Sequence, residues 1–238
     1  MKTLCVISAR GGSRGLPGKN VRPLLEKPLI VWSIEQALAT PGIDRVVVST
    51  DSEEIGMVAR GAGAETPFLR PNYLSTSEAG KFDVFKHGLA SCETHYGEAY
   101  EFYLDLDCTN PLRDISDISA CIAQFRDRRQ HGVDGIFTIC PARKNPYFNL
   151  LETDPNGALK ICKKLPAAIV RRQDAPPVHE HVASIYVLSP DYIRSASYLL
   201  DGHMEGYDIG SEKSPDVDSD FDFLLIEYLM KRKLGLLS

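Results

Sequence analysis

The stretch TLCVISARGGSRGLPGKN, residues 3–20, decides the fold. Its first third is a short apolar run, Leu4 to Ile7, with no polar alternation. A run of that kind is a strand buried on both faces, which is the signature of a parallel sheet covered by helices on each side. The remainder places Gly11, Gly12, Gly15, Gly18 and Pro17 among three cations, Arg10, Arg14 and Lys19. Flexible backbone and positive charge are thus concentrated where the first strand ends. In open α/β sheets, ligands bind beyond the carboxyl ends of the strands.

The rest of the chain repeats the rhythm. Residues 28–39 read as a helix with Pro28 in its first turn, and residues 45–50 as a β-branched strand. A helix follows from Ser52, with Asp51 and Glu54 in capping-box spacing. Helices are predicted from Lys81 and from Asp114, and strands over 101–107 and 134–140. Strands alternating with helices in this way predict an α/β fold with a mostly parallel sheet. After Cys140 the rhythm breaks. Pro155, Asn156 and Gly157 mark a hairpin turn inside an excursion over 141–182, a flap inserted in one domain spanning 1–238. The sheet resumes at ASIYVLS, residues 183–189. DFDFLLIEYLMKRK closes the pattern as a helix with FLLIEYL as its buried face.

The composition, 238 residues with 43% hydrophobic, 25% charged and a net charge of −5, is that of a globular protein, and its acidity argues against a nucleic-acid partner. No run reaches membrane-spanning length, and the opening run is too short for a signal peptide. Six scattered cysteines without a CxxC pair read as reduced core residues of a cytoplasmic protein.

A glycine-rich loop at a strand end can aim backbone N–H groups at phosphate oxygens, and cations spaced through it suit a nucleotide triphosphate. Two familiar phosphate loops fail on inspection. In the P-loop pattern Ser13 stands where the first glycine belongs and Asn20 where Ser or Thr belongs. The dinucleotide fingerprint GxGxxG is broken by the order of the glycines and by Pro17. DVDSDFD, residues 216–222, is the second chemical cluster. Asp216 and Asp218 share one side of an extended segment and offer hard oxygen ligands. The register also places Asp216, Asp218, Asp220, Asp222 and Glu227 on calcium-loop positions, but Phe221 occupies the position that must be glycine. Asp220 and Asp222 read instead as helix N-terminal charges.

ARGGSRGLPGKN resembles the signature of the CMP-sialic acid synthetase (acylneuraminate cytidylyltransferase) family. The resemblance continues in family order through VVVSTD at 46–51, LRPNYLSTSEAG at 69–80, TNPLR at 109–113, RRQD at 171–174, SIYVL at 184–188 and DVDSDFD. It implies a Rossmann-like nucleotidyltransferase domain in which a sugar hydroxyl attacks the α-phosphate of CTP and pyrophosphate leaves. By this resemblance Arg10, Gly11, Gly12, Ser13, Arg14 and Lys19 hold the triphosphate, and Arg10, Arg14 and Lys19 are catalytic, Lys19 foremost. Asn20, Arg70, Ser77 and Ala79 surround the cytidine. Asp107, Thr109, Arg172, Val182 and Tyr186 face the sugar, and Asp216 and Asp218 bind Mg²⁺. The family also implies a homodimer in which the flap of one subunit reaches the other's site.

Two positions depart from the family pattern. Asp107-Cys108 replaces a Gln-Pro dipeptide, and Val182 replaces an asparagine expected to bond the sugar. An ionised carboxylate can only accept hydrogen bonds. These wordings are similar to enzymes for legionaminic acid-type sugars, so the expected substrates are CTP and a nonulosonic acid. A nucleotide-sugar glycosyltransferase would carry its DxD earlier in the chain, and a catalytically inactive nucleotide-binding regulator would have no use for Lys19 with both aspartates. His179 and His181 are too few for a metal site and read as a polar pair facing substrate or solvent.

Overall fold

The computed structural model describes residues 2–13, 15–167 and 169–237. The elements run in chain order as β1 (Thr3–Ser8), β2 (Pro23–Leu24), β3 (Lys27–Pro28), α1 (Leu29–Leu38), β4 (Arg45–Ser49), α2 (Glu53–Gly61), α3 (Lys81–Tyr96), β5 (Phe102–Leu106), α4 (Ile115–Arg128), β6 (Gly135–Pro141), β7 (Leu151–Thr153), β8 (Leu159–Ile161), β9 (His179–Leu188), α5 (Pro190–Ser195), β10 (Met204–Asp208) and α6 (Asp220–Lys233). Six strands form the main sheet in the order β10-β6-β9-β5-β1-β4. All pairings are parallel except those of β9, which runs antiparallel to both β5 and β6.

Alternation along β1 explains the layers. Cys5 and Ile7 point into a core shared with α1, α2 and α4. Leu4 and Val6 point to the other face, where Phe82, Phe85 and Leu89 of α3 and Ile193 of α5 cover them. Both faces are therefore dry, as the unbroken apolar run predicts. A third cluster joins Leu16 of the opening loop to Leu112, Val217 and the α6 residues Phe223, Ile226 and Met230. The loop is thus anchored on the last helix rather than left free at the surface. All six cysteines are free thiols, five of them buried.

Several expectations are corrected. Ser52, not Asp51, caps α2, its hydroxyl accepting from the Ile55 N–H at 3.4 Å. FLLIEYL is buried only at Phe223 and Ile226, while Leu224 and Tyr228 are exposed. The returning strand starts at His179, earlier than the sequence suggests. β10 was not foreseen, because MEGYD has neither an apolar run nor regular alternation. Its place comes from pairing with β6, where Gly206 leaves room for the Ile139 side chain that any Cβ would strike.

The flap departs from Pro141 and returns at His179, the two residues that pair at the mouth of β6 and β9. It holds the expected hairpin, β7 against β8, with Asp154 Oδ1 accepting from the N–H groups of Asn156 and Ala158 at 2.9 Å each.

The connection from β5 to α4 is organised by Arg113, which is fully buried. Its guanidinium donates to the carbonyls of Asp107 (2.8 Å) and Asn110 and to the Ser33 hydroxyl of α1. Burial brings its pKa down to about 10, which still leaves it charged at neutral pH. Replacing Arg113 with Met would strand these acceptors, each orphan costing about 1–3 kcal/mol. Urea unfolding of Arg113→Met is expected to show a loss of roughly 3 kcal/mol or more at constant m-value.

Candidate active site

A cavity of about 320 Å³ opens at the carboxyl ends of β1 and β5. Arg10, Lys19 and Asn20 line it from the opening loop, and Arg70, Ser77 and Ala79 from the segment between α2 and α3. Asp107 and Thr109, just beyond β5, form the third side together with Lys81 of α3. Of the sequence-predicted nucleotide residues, Arg10, Lys19, Asn20, Arg70, Ser77 and Ala79 therefore converge from two chain segments, while Gly11, Gly12 and Ser13 are not in the lining. A wider hollow of about 540 Å³ lies within the flap, lined by Tyr147, Phe148, Lys160, Ile161, Lys163 and Lys164, and neither Arg10 nor Lys19 lines it.

Lys19 and Arg70 are held by specific partners. Lys19 Nζ donates to the Val217 carbonyl at 2.7 Å and lies 3.2 Å from Asp218 Oδ1. Asn20 donates to the Arg10 carbonyl at 2.9 Å and accepts from Cys108 Sγ at 3.1 Å, which fixes the loop against the end of β5. Arg70 is only 4% exposed, with Nε donating to Ser75 Oγ at 3.1 Å and Asp51 3.8 Å away. Burial lowers its pKa, an effect that Asp51 opposes. Asp51 also accepts from the Gly11 N–H at 2.9 Å, so the carboxylate expected to cap α2 secures the opening loop instead.

Gly15 shows what one of the loop glycines is for. A Cβ there would overlap the carbonyl oxygen of Asp218. The loop and the aspartate segment touch backbone to backbone, which only glycine permits. The segment is tied on its other side as well: Val217 N–H donates to the Thr109 carbonyl at 2.9 Å, and Asn110 donates to the carbonyls of Lys213 and Pro215. Asp216 is half-buried; burial, then Asp218 and Asp107, push its carboxyl above the usual range, with Lys19 opposing. Asp218 is exposed. Ser219 and Asp222 form the capping box of α6, and Asp220 pairs with Arg22 at 2.6 Å, so these two aspartates serve the helix start as expected.

On the expected sugar side the structure rearranges the reading. Asp107 Oδ2 accepts from Lys81 Nζ at 2.7 Å, and Oδ1 accepts from the backbone N–H and hydroxyl of Thr109. Burial pushes the Asp107 carboxyl up, but Lys81 and Thr109 outweigh it and bring it down to about 2. Tyr186 is buried beneath Lys81, whose ammonium lies 4.3 Å from the ring centre. Val182 is 4% exposed and packed in the core with Ile185 and Val187, so it does not present apolar surface to the cavity. A bulge causes this. Phe137 pairs with Tyr186 and Ile139 with His181, so residues 182–185 stand opposite Thr138 alone. Thr138 Oγ1 donates to the Val182 carbonyl and accepts from the Ile185 N–H, closing the bulge. His181 consequently lies beside Tyr186, their ring centres 5.5 Å apart. Arg172 stands exposed on the flap, outside the cavity lining. Gly11, Gly12 and Ser13 form the loop rim, and Arg14 lies outside the described residues. Lys81 is the functional candidate that motif reading missed.

A cytidylyltransferase family model matches residues 4–227. The chain belongs to the cytidylyltransferase family. It is 36% identical over 231 residues to post-translational flagellin modification protein B of Campylobacter coli, covering 97% of this chain and 95% of the relative. It is 34% identical over 230 residues, with the same coverages, to CMP-N,N'-diacetyllegionaminic acid synthase of Campylobacter jejuni. The solved structure of a CMP:2-keto-3-deoxy-manno-octonic acid synthetase complexed with CTP aligns with a TM-score of 0.74 at 18% identity, over 98% of this chain and 100% of that one. The similarity read from the motifs, to CMP-sialic acid synthetases and their legionaminic acid-type branch, agrees with these relatives. Family membership makes the protein a nucleotidyltransferase. No helix among the described residues is long and apolar enough to cross a membrane.

Two outcomes follow from this geometry. Gly15→Ala should displace the 216–218 segment from Lys19 without unfolding the protein. A lowering of kcat/KM on the order of tenfold to a hundredfold, with an unchanged melting temperature, is expected. Asp107 carries the pH signature. Its folded pKa lies below the ordinary carboxylate value of about 4, so its stabilisation is present above pH 4 and lost as pH falls towards 2. The stability difference between wild type and Asp107→Asn should be flat from pH 7 to 5 and vanish across that lower window.

Proposed function

We propose that the protein transfers CMP from CTP to the anomeric hydroxyl of a nine-carbon 2-keto-3-deoxy sugar acid of the legionaminic acid type, releasing pyrophosphate. The observation that carries this reading is the convergence of Arg10, Lys19 and Arg70 on one cavity wall, in a protein whose net charge is −5. A triphosphate supplies the anionic complement to that wall. Phosphoryl transfer asks of a protein chiefly alignment and neutralisation of charge. Lys19, held at the mouth by Val217 and Asp218, is suited to meet negative charge developing on the phosphates. Ser77 and Ala79 line the same cavity, and their backbone carbonyls would accept from the cytosine amine.

Asp216 and Asp218 suit Mg²⁺. Burial, and then the charge of Asp218, raise the Asp216 pKa; a cation would relieve both, and Lys19 offsets them only in part. Asp216 and Asp218 would hold the ion, and two carboxylates suit a cation that keeps waters and takes phosphate oxygens. When bound, the ion would polarise phosphate oxygens and shield their charge. The chain's own contribution is to keep the two carboxylates beside Lys19 through the Gly15 contact and the Thr109–Val217 bond.

The acceptor reading rests on the 34% identical legionaminate synthase relative and on the ionised Asp107, which asks for a donor. The flap leaves Leu151, Leu159 and Val170 more than half exposed, which suits a role in homodimer assembly. Incubation with CTP, Mg²⁺ and a panel of nonulosonic acids tests the activity. Pyrophosphate release is expected with CTP far above UTP, and with a diamino nonulosonic acid above sialic acid. Release with no sugar acid at all, or equal use of UTP, would sink the proposal. Asp216→Asn and Asp218→Asn are expected to raise the Mg²⁺ concentration needed for half-maximal rate. Unchanged titrations in both would move the metal elsewhere.

A further inference from the structure

Lys81 opens α3 and occupies a socket that packing alone does not require. Its ammonium lies 2.7 Å from Asp107 Oδ2 and 3.1 Å from Asp105 Oδ1, above the Tyr186 ring. Asp105 is fully buried in the middle of the sheet, between β1 and β9, and Lys81 is its ion-pair partner among the described residues. An apolar residue would fill that strand position without the desolvation cost of a carboxylate. What Asp105 does there is fix Lys81, 24 positions back in the chain, from below, while Asp107 holds it from the side.

The charge count decides what this socket binds. Lys81 is flanked by two carboxylates, so the group as a whole offers an anion no net attraction. Lys81 is therefore unlike Arg10 and Lys19 and is no part of the triphosphate cradle. Its hydrogen-bonding capacity is a different matter. An ammonium has three N–H donors, and two are directed at Asp105 and Asp107. A carboxylate has about four acceptor directions, and Asp107 uses three, on Lys81, the Thr109 N–H and the Thr109 hydroxyl. The count leaves one donor on Lys81, beside the Tyr186 ring, and one acceptor on Asp107, and both residues line the cavity.

We infer that Lys81 and Asp107 form an acceptor-binding clamp that takes a neutral vicinal pair on the sugar ring, a hydroxyl oxygen accepting from Lys81 and a neighbouring acylamino N–H donating to Asp107, with Asp105 as the positioning residue. The inference rests on the transferase reading above and assigns its sugar subsite. The aromatic row of Phe137, His181 and Tyr186 continues from the clamp, with Phe137 and His181 4.7 Å apart between ring centres. Tyr186 is buried, so Phe137 and His181 are the members that would meet the part of the acceptor beyond the clamped pair. The bulge in β9 is what brings His181 into that row.

The test is a split of kinetic constants in the full-length protein. Lys81→Met should raise the KM for the sugar acid by roughly tenfold or more, since a hydrogen bond to a charged group is lost, and leave the KM for CTP within about twofold. Because Lys81→Met strands two carboxylates, the paired change Lys81→Met with Asp105→Leu is measured alongside it, with thermal melting as the check on folding. The same split is expected in the double variant, and a sugar acid lacking the ring hydroxyl should bind wild type and variant alike. An unchanged acceptor KM in the folded double variant overturns the clamp. So does a raised CTP KM with an unchanged acceptor KM, which would give Lys81 to the nucleotide. Wild-type protein that binds CTP by calorimetry but releases pyrophosphate with no sugar acid overturns the transferase reading, and the clamp with it.

Discussion

The site depends on a guanidinium that never touches a ligand. Arg113 sits with no exposed surface at the point where α1, the end of β5 and the bulge of β9 meet. A cation in that position is costly to desolvate, and its two terminal nitrogens are met by the Ser33 hydroxyl and by carbonyl oxygens that the turning chain would otherwise leave unpaired. Asp107 and Asn110 both contribute such carbonyls. Asn110 then binds the 213–215 backbone, and Thr109 binds Val217. The orientation of the aspartate segment is thus inherited from a buried arginine two layers away.

Much of this architecture is legible in the sequence, and the reasons are physical. An apolar run without alternation can only be a strand covered on both faces, so TLCVIS announces the parallel sheet. The bounds of α6 are equally plain, because Ser219 and Asp222 stand in capping-box spacing. Other features depend on the tertiary structure. MEGYD becomes a strand only because β6 offers it a free edge. Val182 is placed by a bulge that sets four residues against one, which a period-two reading cannot anticipate. Lys81 looks like any lysine at a helix start, since Asp105 and Asp107 lie far along the chain. A polar residue inside an otherwise apolar strand was the available sign: in FYLDL the aspartate is the one residue that the sheet interior does not want.

Local charge matters here more than the net value. The protein is acidic, yet its cavity has a cationic wall at Arg10, Lys19 and Arg70 and a balanced wall at Lys81. The two walls meet at Asp107 and Thr109 and differ in how their cations are compensated. Lys19 has one exposed carboxylate and a carbonyl for company, whereas Lys81 has two carboxylates, one of them fully buried. The same residue type is therefore set for two tasks, one electrostatic and the other geometric.

The contact between Lys19 and Asp218 joins positions 199 residues apart. A contact of that span forms late, because the entropy of closing so long a loop must be met before the contact rewards it. On a ribosome, the first loop of this protein emerges long before the segment that gives it shape. Until the segment around Asp218 arrives, Gly15 has nothing to rest against and Lys19 has no fixed position. A nascent chain therefore cannot present the ordered loop while the rest of it is still being made. Order at this end of the sheet appears in a single late event instead of growing with chain length.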